Sequence, residues 1–398
     1  MRRYIYLLFF LILLIGTLSG CTEQLPEEVL QGHSLYENHV KGIQGDQMVC
    51  WDNYIVSDYG RGSIYNRSSG ELQKNFCEDP ECDGDCFLEQ GPVTIYHVAD
   101  GKIYFVIREK HNTHYCYKEI VSGEVHVFFT LEAKEVISTR DMYMDNGNLY
   151  YPKKCLIEGG NPDDANDYHL YLYRMTADGK NNEMVYKMRD NTEYLWFVDN
   201  GILYTQWQMR FYQIDLATME SRQFFDLSAA GFLGAGQVQY INGKLYFSYS
   251  TEAWMMAAPN GQPFAQPRIV TVDVETGEWN YLLDVSTSSY CITNDAIYFV
   301  PTEITQRSDP DIYASSDEQT KYCSCPSVLY ACDLDGGNIR LVWEENERHI
   351  CLLKYTVVDH TLYTVANEFD RQSNQYGDTF FAEIPLDTGE ILPAVVID

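Results

Sequence analysis

The chain has 398 residues, of which 45% are hydrophobic and 14% aromatic, so it can bury a sizeable core. Its net charge of −30 excludes the basic footprint that nucleic-acid binding requires. We interpret the acidity as a solubility feature, with an acidic face for a cationic partner or Ca²⁺ as the alternative. Because few stretches have helical apolar spacing, the body is predicted to be all-β.

The first twenty residues have the layout of an export signal. Met1-Arg2-Arg3 precedes an unbroken apolar run from Tyr4 to Ile15, which suits a signal peptide and is short for a membrane span. The segment ends in Leu18-Ser19-Gly20-Cys21, which resembles the lipobox of bacterial lipoproteins. This resemblance implies cleavage before Cys21 and a diacylglyceryl group on its sulfur, and two acyl chains make a stable anchor. An ordinary secretory signal or an uncleaved anchor helix is the alternative.

If the lipobox is used, residues 21–45 form a short tether and the remainder, residues 46–398, forms the folded domain. The tether contains Pro26 and several acidic residues, and it lacks the repeat described below. The expected location is then the extracytoplasmic face of the cell membrane of a Gram-positive bacterium.

A strand–turn–strand phrase recurs along the domain, and its most complete copy is Tyr240–Tyr249. Asn242-Gly243 fits a two-residue type I′ turn, because both central residues of that turn need positive φ. A second phrase follows each copy, namely an apolar strand that ends in an acidic turn, as in Val270–Glu278. Each copy carries one tyrosine after the first turn: Tyr54, Tyr104, Tyr150, Tyr204, Tyr246, Tyr298 and Tyr363.

Four strands repeated at intervals of about 50 residues are the sequence signature of a β-propeller. The seven tyrosines predict seven four-stranded blades, with six or eight as alternatives. An open β-solenoid or a pair of sandwiches is the structural rival.

The two phrases together resemble the Tyr-rich propeller repeats of lipoproteins from Firmicutes, which are distantly similar to TolB-like propellers. The resemblance covers roughly residues 46–396. It implies a fold and a lipid anchor, and it implies no activity, because fold analogy alone does not supply a function.

The variation in loop length falls on one face of the predicted propeller. The long connections are expected at about 152–168, 250–267, 301–327 and 366–379. Binding residues are commonly found on loops that a rigid scaffold holds in place. Trp254-Met255-Met256 is a candidate apolar anchor in the second of these loops, although the three side chains could instead pack against their own loop.

A cysteine cluster, Cys77, Cys82 and Cys86, lies in the link between the first two units. Export favours a local disulfide with one thiol left over. The alternatives are a Zn²⁺ site completed by His111 and His114, or Ca²⁺ bound to the carboxylates between the cysteines. Core packing is expected of the cysteines scattered among the strands, which are Cys50, Cys116, Cys155, Cys291, Cys332 and Cys351.

The sequence carries no established catalytic motif, since Gly-x-Ser-x-Gly, His-Glu-x-x-His and a phosphate-binding glycine loop are all missing from it. Four acidic residues that recur with the repeat, Asp215, Asp273, Asp333 and Asp387, are interpreted as turn formers. The leading hypothesis is a lipid-anchored propeller that binds an envelope protein or a glycan through the loops of blades five to seven and one, without catalysis or a cofactor. The alternatives are a glycan-active hydrolase or lyase with its site at the axial channel, and a scaffold for an envelope complex.

Overall fold

The structure is a computed structural model that describes residues 48–397 apart from 78–85, 137–141, 163, 165–166, 177–178, 233, 250–268, 284–286, 294, 302, 305–322, 325–326, 346–349, 371–374 and 393–394. The described chain forms seven four-stranded antiparallel sheets. The all-β class and the seven-bladed propeller are therefore confirmed. Among the described residues, no helix has the length and apolar character needed to cross a bilayer.

Blades 1 to 4 each consist of four strands that are consecutive in the chain. Blade 1 contains β1 (Val49–Trp51), β2 (Tyr54–Ser57), β3 (Ser63–Asn66) and β4 (Glu71–Gln73). Blade 2 contains β5 (Val93–Ala99), β6 (Lys102–Arg108), β7 (Asn112–Glu119) and β8 (Val125–Glu132). Blade 3 contains β9 (Tyr143–Asp145), β10 (Asn148–Leu156), β11 (Tyr168–Thr176) and β12 (Glu183–Lys187). Blade 4 contains β13 (Tyr194–Asp199), β14 (Ile202–Trp207), β15 (Arg210–Asp215) and β16 (Ser221–Asp226).

Blades 5 to 7 follow the same plan, with one insertion. Blade 5 contains β17 (Ala235–Ile241), β18 (Lys244–Tyr249), β19 (Ile269–Asp273) and β20 (Trp279–Tyr281). Blade 6 contains β21 (Thr287–Ile292), β22 (Ala296–Pro301), β25 (Val328–Asp333) and β26 (Arg340–Glu344), and its inserted hairpin is β23 (Glu303–Ile304) and β24 (Cys323–Ser324). Blade 7 contains β27 (Ile350–Val358), β28 (Thr361–Asp370), β29 (Gln375–Pro385) and β30 (Val395–Val396). Two single-turn 3₁₀ helices, Phe87–Glu89 and Ala133–Glu135, lie in the links after blades 1 and 2.

The first strand of each blade lies nearest the axis. Strand β1 lies beside β5 and β27, and β9 lies beside β5 and β13. Strand direction alternates within a blade, so the connections separate onto two faces. We call one of these faces the turn face. It carries the turns between the first and second strands and between the third and fourth strands of each blade. The loop face carries the second-to-third strand loops and the links between blades.

The turn after the first strand has the geometry that the sequence predicts. Both central residues have positive φ in five blades, at Asp100-Gly101, Asn146-Gly147, Asn200-Gly201, Asn242-Gly243 and Asp359-His360. Asn, Asp and Gly tolerate this region better than other residues, which explains why they recur at these places.

The turn after the third strand is held by its own side chains. Asp273 Oδ1 accepts from the amides of Glu275 and Thr276 at 3.0 and 2.9 Å. Asp215 Oδ1 accepts from Ala217 and Thr218 in the same way, at 2.8 and 3.0 Å. The prediction that these two recurring aspartates form turns is confirmed.

Aromatic side chains fill the spaces between neighbouring blades. The Phe129 ring of blade 2 lies 4.4 Å from the Tyr151 ring of blade 3, centroid to centroid. The Phe211 ring of blade 4 lies 5.5 Å from the Phe247 ring of blade 5. A blade buries both faces only when it has neighbours, so these contacts are what make the ring stable.

Two second-to-third strand hairpins are longer than predicted. The segment 366–379 is largely strand, because β28 continues to Asp370 and β29 begins at Gln375. The segment 152–168 also begins in strand, since β10 continues to Leu156 and pairs with Tyr168. Residues 152–156 include no aromatic or β-branched residue, so the strand is maintained there by its antiparallel pairing with residues 168–172.

Candidate functional site at the loop face

The loop face carries all of the long connections in the described chain. Its second-to-third strand connections range from the two-residue turn Gln208-Met209 in blade 4 to segment 302–327 in blade 6. The links between blades also lie here, and the longest of them is 74–92 between blades 1 and 2. On the turn face, the longest connection is the nine-residue segment 386–394 of blade 7, and all others are two to six residues long. The predicted asymmetry between the faces is therefore present.

Blade 4 presents an arginine between two aromatic rings on this face. Arg189 Cζ lies 4.0 Å from the centroid of the Tyr212 ring and 5.3 Å from that of Trp207. Trp207 Nε1 donates to Asp190 Oδ2 at 2.7 Å. The bonds from Trp207 and Thr192 hold the pKa of Asp190 below its ordinary value, with the Thr192 hydroxyl as the largest cause. This arrangement places a partly exposed indole at the rim, where it could contact a ligand.

Glu193 holds Arg189 in that position from below. Its side chain is fully buried, and its carboxylate lies 2.8 Å from Arg189 Nη1. It also accepts from the Arg189 amide at 2.7 Å and from the Tyr186 hydroxyl at 3.1 Å. Sequence reasoning missed this network. The available signal was the Arg189-Asp190…Glu193 charge pattern between two strands, which is unusual in a link that must pack.

The link between blades 1 and 2 brings part of the cysteine cluster together. Cys77 Sγ and Cys86 Sγ lie 3.6 Å apart, and both residues pack against a core cluster that includes Phe76, Leu88 and Phe105. The Phe87 ring lies 5.3 Å from the His114 ring, so the link contacts blade 2. Cys82 and the acidic residues beside it lie outside the described residues.

The two candidate histidines do not converge with the thiols in the described part of the chain. His111 is exposed between β6 and β7. His114 Nδ1 lies 3.0 Å from Thr130 Oγ1, and its Nε2 lies 3.3 Å from Glu109 Oε1. Within the described residues, no three His, Cys, Asp or Glu side chains are placed to hold a metal ion. Zinc and calcium binding stay predictions, because Cys82 and five neighbouring carboxylates are not described.

Two further candidates also fall outside the described residues. They are the lipidation site Cys21 and the apolar triplet Trp254-Met255-Met256. Lipidation and ligand contact at these positions therefore remain predictions.

The strand cysteines lie where core packing places them. All six are in strands, and Cys50, Cys116, Cys291 and Cys332 are buried. Burial raises the pKa of the Cys116 and Cys291 thiols to about 12, so these thiols are poor nucleophiles. Cys155 and Cys351 are half-buried.

The axial strands carry four ionisable side chains other than tyrosine and cysteine: His97, Asp145, Asp199 and Lys354. Asp145 is used structurally, since it accepts the Asn200 and Gly201 amides of the next blade at 3.0 Å each. Lys354 pairs with Asp58 of blade 1. Asp145 and Lys354 therefore stabilise the packing of neighbouring blades.

Comparison with known proteins is informative at the level of the fold. No protein-family model and no curated protein sequence matches the chain. A structure from a study of two prolyl endopeptidases matches with a TM-score of 0.53 and 12% identity, covering 93% of this chain and 53% of the other. This chain therefore spans about half the length of that peptidase chain.

Two other matches cover most of both chains. Oligogalacturonate lyase from Vibrio parahaemolyticus has a TM-score of 0.50 and 9% identity, covering 87% of this chain and 90% of that one. TolB from Acinetobacter baumannii has a TM-score of 0.39 and 10% identity, covering 88% and 78%. TolB is thus among the structural neighbours. Because the matched peptidase and lyase structures are at most 12% identical to this chain, the likeness concerns the fold alone, and the function has to be inferred from this chain's own residues.

Proposed function

We propose that the protein is a lipid-anchored propeller at the cell envelope that binds a protein or a glycan through its loop face, without catalysis. One observation carries the proposal, which is that every connection longer than nine residues lies on the loop face. A rigid ring that presents variable loops on one side is the usual arrangement of a binding scaffold.

The turn face is poorly suited to the same task. Its recurring carboxylates, such as Asp215 and Asp273, are occupied by the backbone amides of their own turns. By contrast, the loop face presents the partly exposed Trp207 indole beside Arg189. The second-to-third strand hairpins of blades 3 and 7 also extend beyond the first strands of those blades on this face. Aromatic and arginine side chains are also the residue types enriched at binding hot spots.

Replacement of residues 305–322 by a Gly/Ser segment of equal length tests the proposal. The β23–β24 pairing at the base of this loop is kept, so the blade should stay folded with an unchanged melting temperature. Capture of envelope proteins or of arrayed glycans should fall at least tenfold. The matched control is Glu275→Lys with Thr276→Lys on the turn face, and undiminished capture by the loop variant would count against the proposal.

The anchor needs a separate test. Cys21→Ser should move the protein from the membrane fraction to the soluble fraction, because the acyl chains supply the binding energy. Retention of the variant in the membrane would contradict the lipid anchor without affecting the binding face.

A further inference from the structure

We propose that Cys77 and Cys86 form a structural disulfide that closes the base of the link between blades 1 and 2. The two sulfur atoms lie 3.6 Å apart although the residues are nine positions apart in the chain. A disulfide needs about 2.05 Å, so the sulfurs must approach by about 1.5 Å, which side-chain torsions can supply.

The residues around Cys77 are held by the folded blades. Phe76 is buried, and its ring lies 5.0 Å from that of Phe105 in blade 2. Its amide donates to the Arg61 carbonyl at 3.3 Å, and its carbonyl accepts from the buried Lys118 ammonium at 3.4 Å. The backbone that carries Cys77 is therefore fixed from both blades.

Cys86 is held independently. Its carbonyl accepts from the Glu89 amide at 2.9 Å, which starts the 3₁₀ turn Phe87–Glu89. Leu88 is buried in the same core cluster, and the Glu89 carboxylate pairs with Arg61 of blade 1. Because both cysteines are anchored by their neighbours, the thiols have a high effective concentration for each other.

The bond forms by two exchanges with a disulfide donor, such as oxidised glutathione or a disulfide oxidoreductase. The Cys77 thiolate attacks the donor, which releases one thiol and leaves a mixed disulfide on Cys77. The Cys86 thiolate then attacks the Cys77 sulfur and releases the second thiol. Two protons leave the protein and two electrons reduce the donor. If the Cys86 thiolate attacks the donor first and the Cys77 thiolate then attacks the Cys86 sulfur, the product is the same.

We expect the disulfide to stabilise the link between blades 1 and 2 locally. The bond would hold Phe87 on His114 and Glu89 on Arg61 while the intervening acidic segment 78–85 is cross-linked at its base. Cross-linking removes conformations from the unfolded chain, which raises the melting temperature. Formation of the bond in cells rests on the extracytoplasmic location proposed above, but the pairing itself does not.

Peptide mapping of the purified full chain is the test. The protein is equilibrated in a glutathione redox buffer, alkylated, and digested without reduction by a protease that cuts before aspartate. Asp79, Asp83 and Asp85 separate the three cysteines, so each pairing gives a distinct linked peptide. We expect Cys77 linked to Cys86, with Cys82 alkylated. Linkage of Cys82 to either residue, three alkylated cysteines, or stoichiometric zinc on three reduced thiols would overturn the proposal.

Single variants provide a second readout that does not depend on mapping. Reduction should lower the melting temperature of the wild type by roughly 2–6 °C, and by the same amount in the matched control Cys82→Ser. Cys77→Ser and Cys86→Ser should show no such shift. If the loss of melting temperature on reduction is absent only in Cys82→Ser, the pairing of Cys77 with Cys86 is contradicted. Both experiments use the purified protein without a partner or a membrane. A negative result for the disulfide would therefore not bear on the proposed function.

Discussion

Arg67 of blade 1 closes the ring by binding Asp359 in the first turn of blade 7. Its Nη2 donates to Asp359 Oδ2 at 2.7 Å, and its Nε donates to the Tyr363 hydroxyl at 3.0 Å. Each described blade is formed by its own segment of the chain, so no described strand joins blade 7 to blade 1. Arg67 therefore stabilises a junction that no strand crosses, together with the Lys354–Asp58 pair and the Tyr65–Glu383 hydrogen bond.

Arg67→Ala is expected to destabilise the protein by about 1–3 kcal/mol, since it removes charge-assisted hydrogen bonds to two partners and the contact with the Tyr363 ring. Asp359→Asn should cost no more than about 1 kcal/mol, because the Asp359 side chain is 77% exposed and exposed ion pairs are weak. Denaturant unfolding of both variants gives the comparison. Equal losses would show that the ion pair, and not the Tyr363 contact, closes the ring.

Glu193→Gln should lower stability by about 2–4 kcal/mol, because Arg189 and Tyr186 lose a buried charged acceptor. The control is Glu183→Gln, whose pair with Arg174 is exposed and should be worth less than about 1 kcal/mol. Tryptophan fluorescence of the Trp207 environment provides a local readout. A Glu193 variant as stable as its control would contradict the supporting role assigned to this carboxylate.

Met219→Gly is expected to stabilise the protein. Met219 has a φ of +61° in the blade 4 turn, where the equivalent residues Gly277 and Gly389 have φ values of +75° and +69°. Because the Met219 side chain is exposed, its removal sacrifices little burial, and relief of the left-handed strain should give a net gain of about 0.5–1 kcal/mol. Thermal unfolding checks this, and a lower melting temperature would show that the methionine side chain makes a stabilising contact.

Alkaline pH should unfold the protein through its buried acids. Burial raises the pKa of Tyr104 and Tyr246 to about 12 from an ordinary 10.0, and that of Cys116 to about 12 from 9.0. The folded state therefore binds these protons more tightly than the unfolded chain does. Their contribution is complete below about pH 9 and is lost as the pH rises to about 12.

Tyrosinate absorbance measured together with circular dichroism tests this. The exposed tyrosines should titrate near pH 10, and a second group should titrate only as the β signal disappears. If all tyrosines titrate together near pH 10 while the protein stays folded, the burial of the repeat tyrosines is contradicted.

The repeat was predictable because it is local. Asn242-Gly243 specifies its turn from two adjacent residues, and the following Leu245-Tyr246-Phe247 specifies a strand, so neither needs a distant partner. The same local logic predicted Asp215 and Asp273 as turn formers. It could not predict the turn Gln208-Met209, where both residues have positive φ although neither favours it, because the blade around the turn imposes that geometry.

The contacts between blades were beyond sequence reasoning. Arg67 and Asp359 are 292 positions apart, and no local pattern relates them. The first strands also carry register shifts, for example between Ile95 and His97 in β5 and between Leu195 and Phe197 in β13. A bulge changes which residue faces the core and depends on the neighbouring strand, so alternation of residue types does not reveal it.

Site-specific photo-crosslinking within blade 7 tests the binding face most directly. Glu368 and Asp378 are exposed on its loop-face hairpin, and Asp387 and Thr388 are exposed on its turn-face turn. With a crosslinker at each position in intact cells, the account predicts adducts to an envelope protein or glycan from the first pair and none from the second. Adducts from the turn face alone, or equally from both faces, would contradict it.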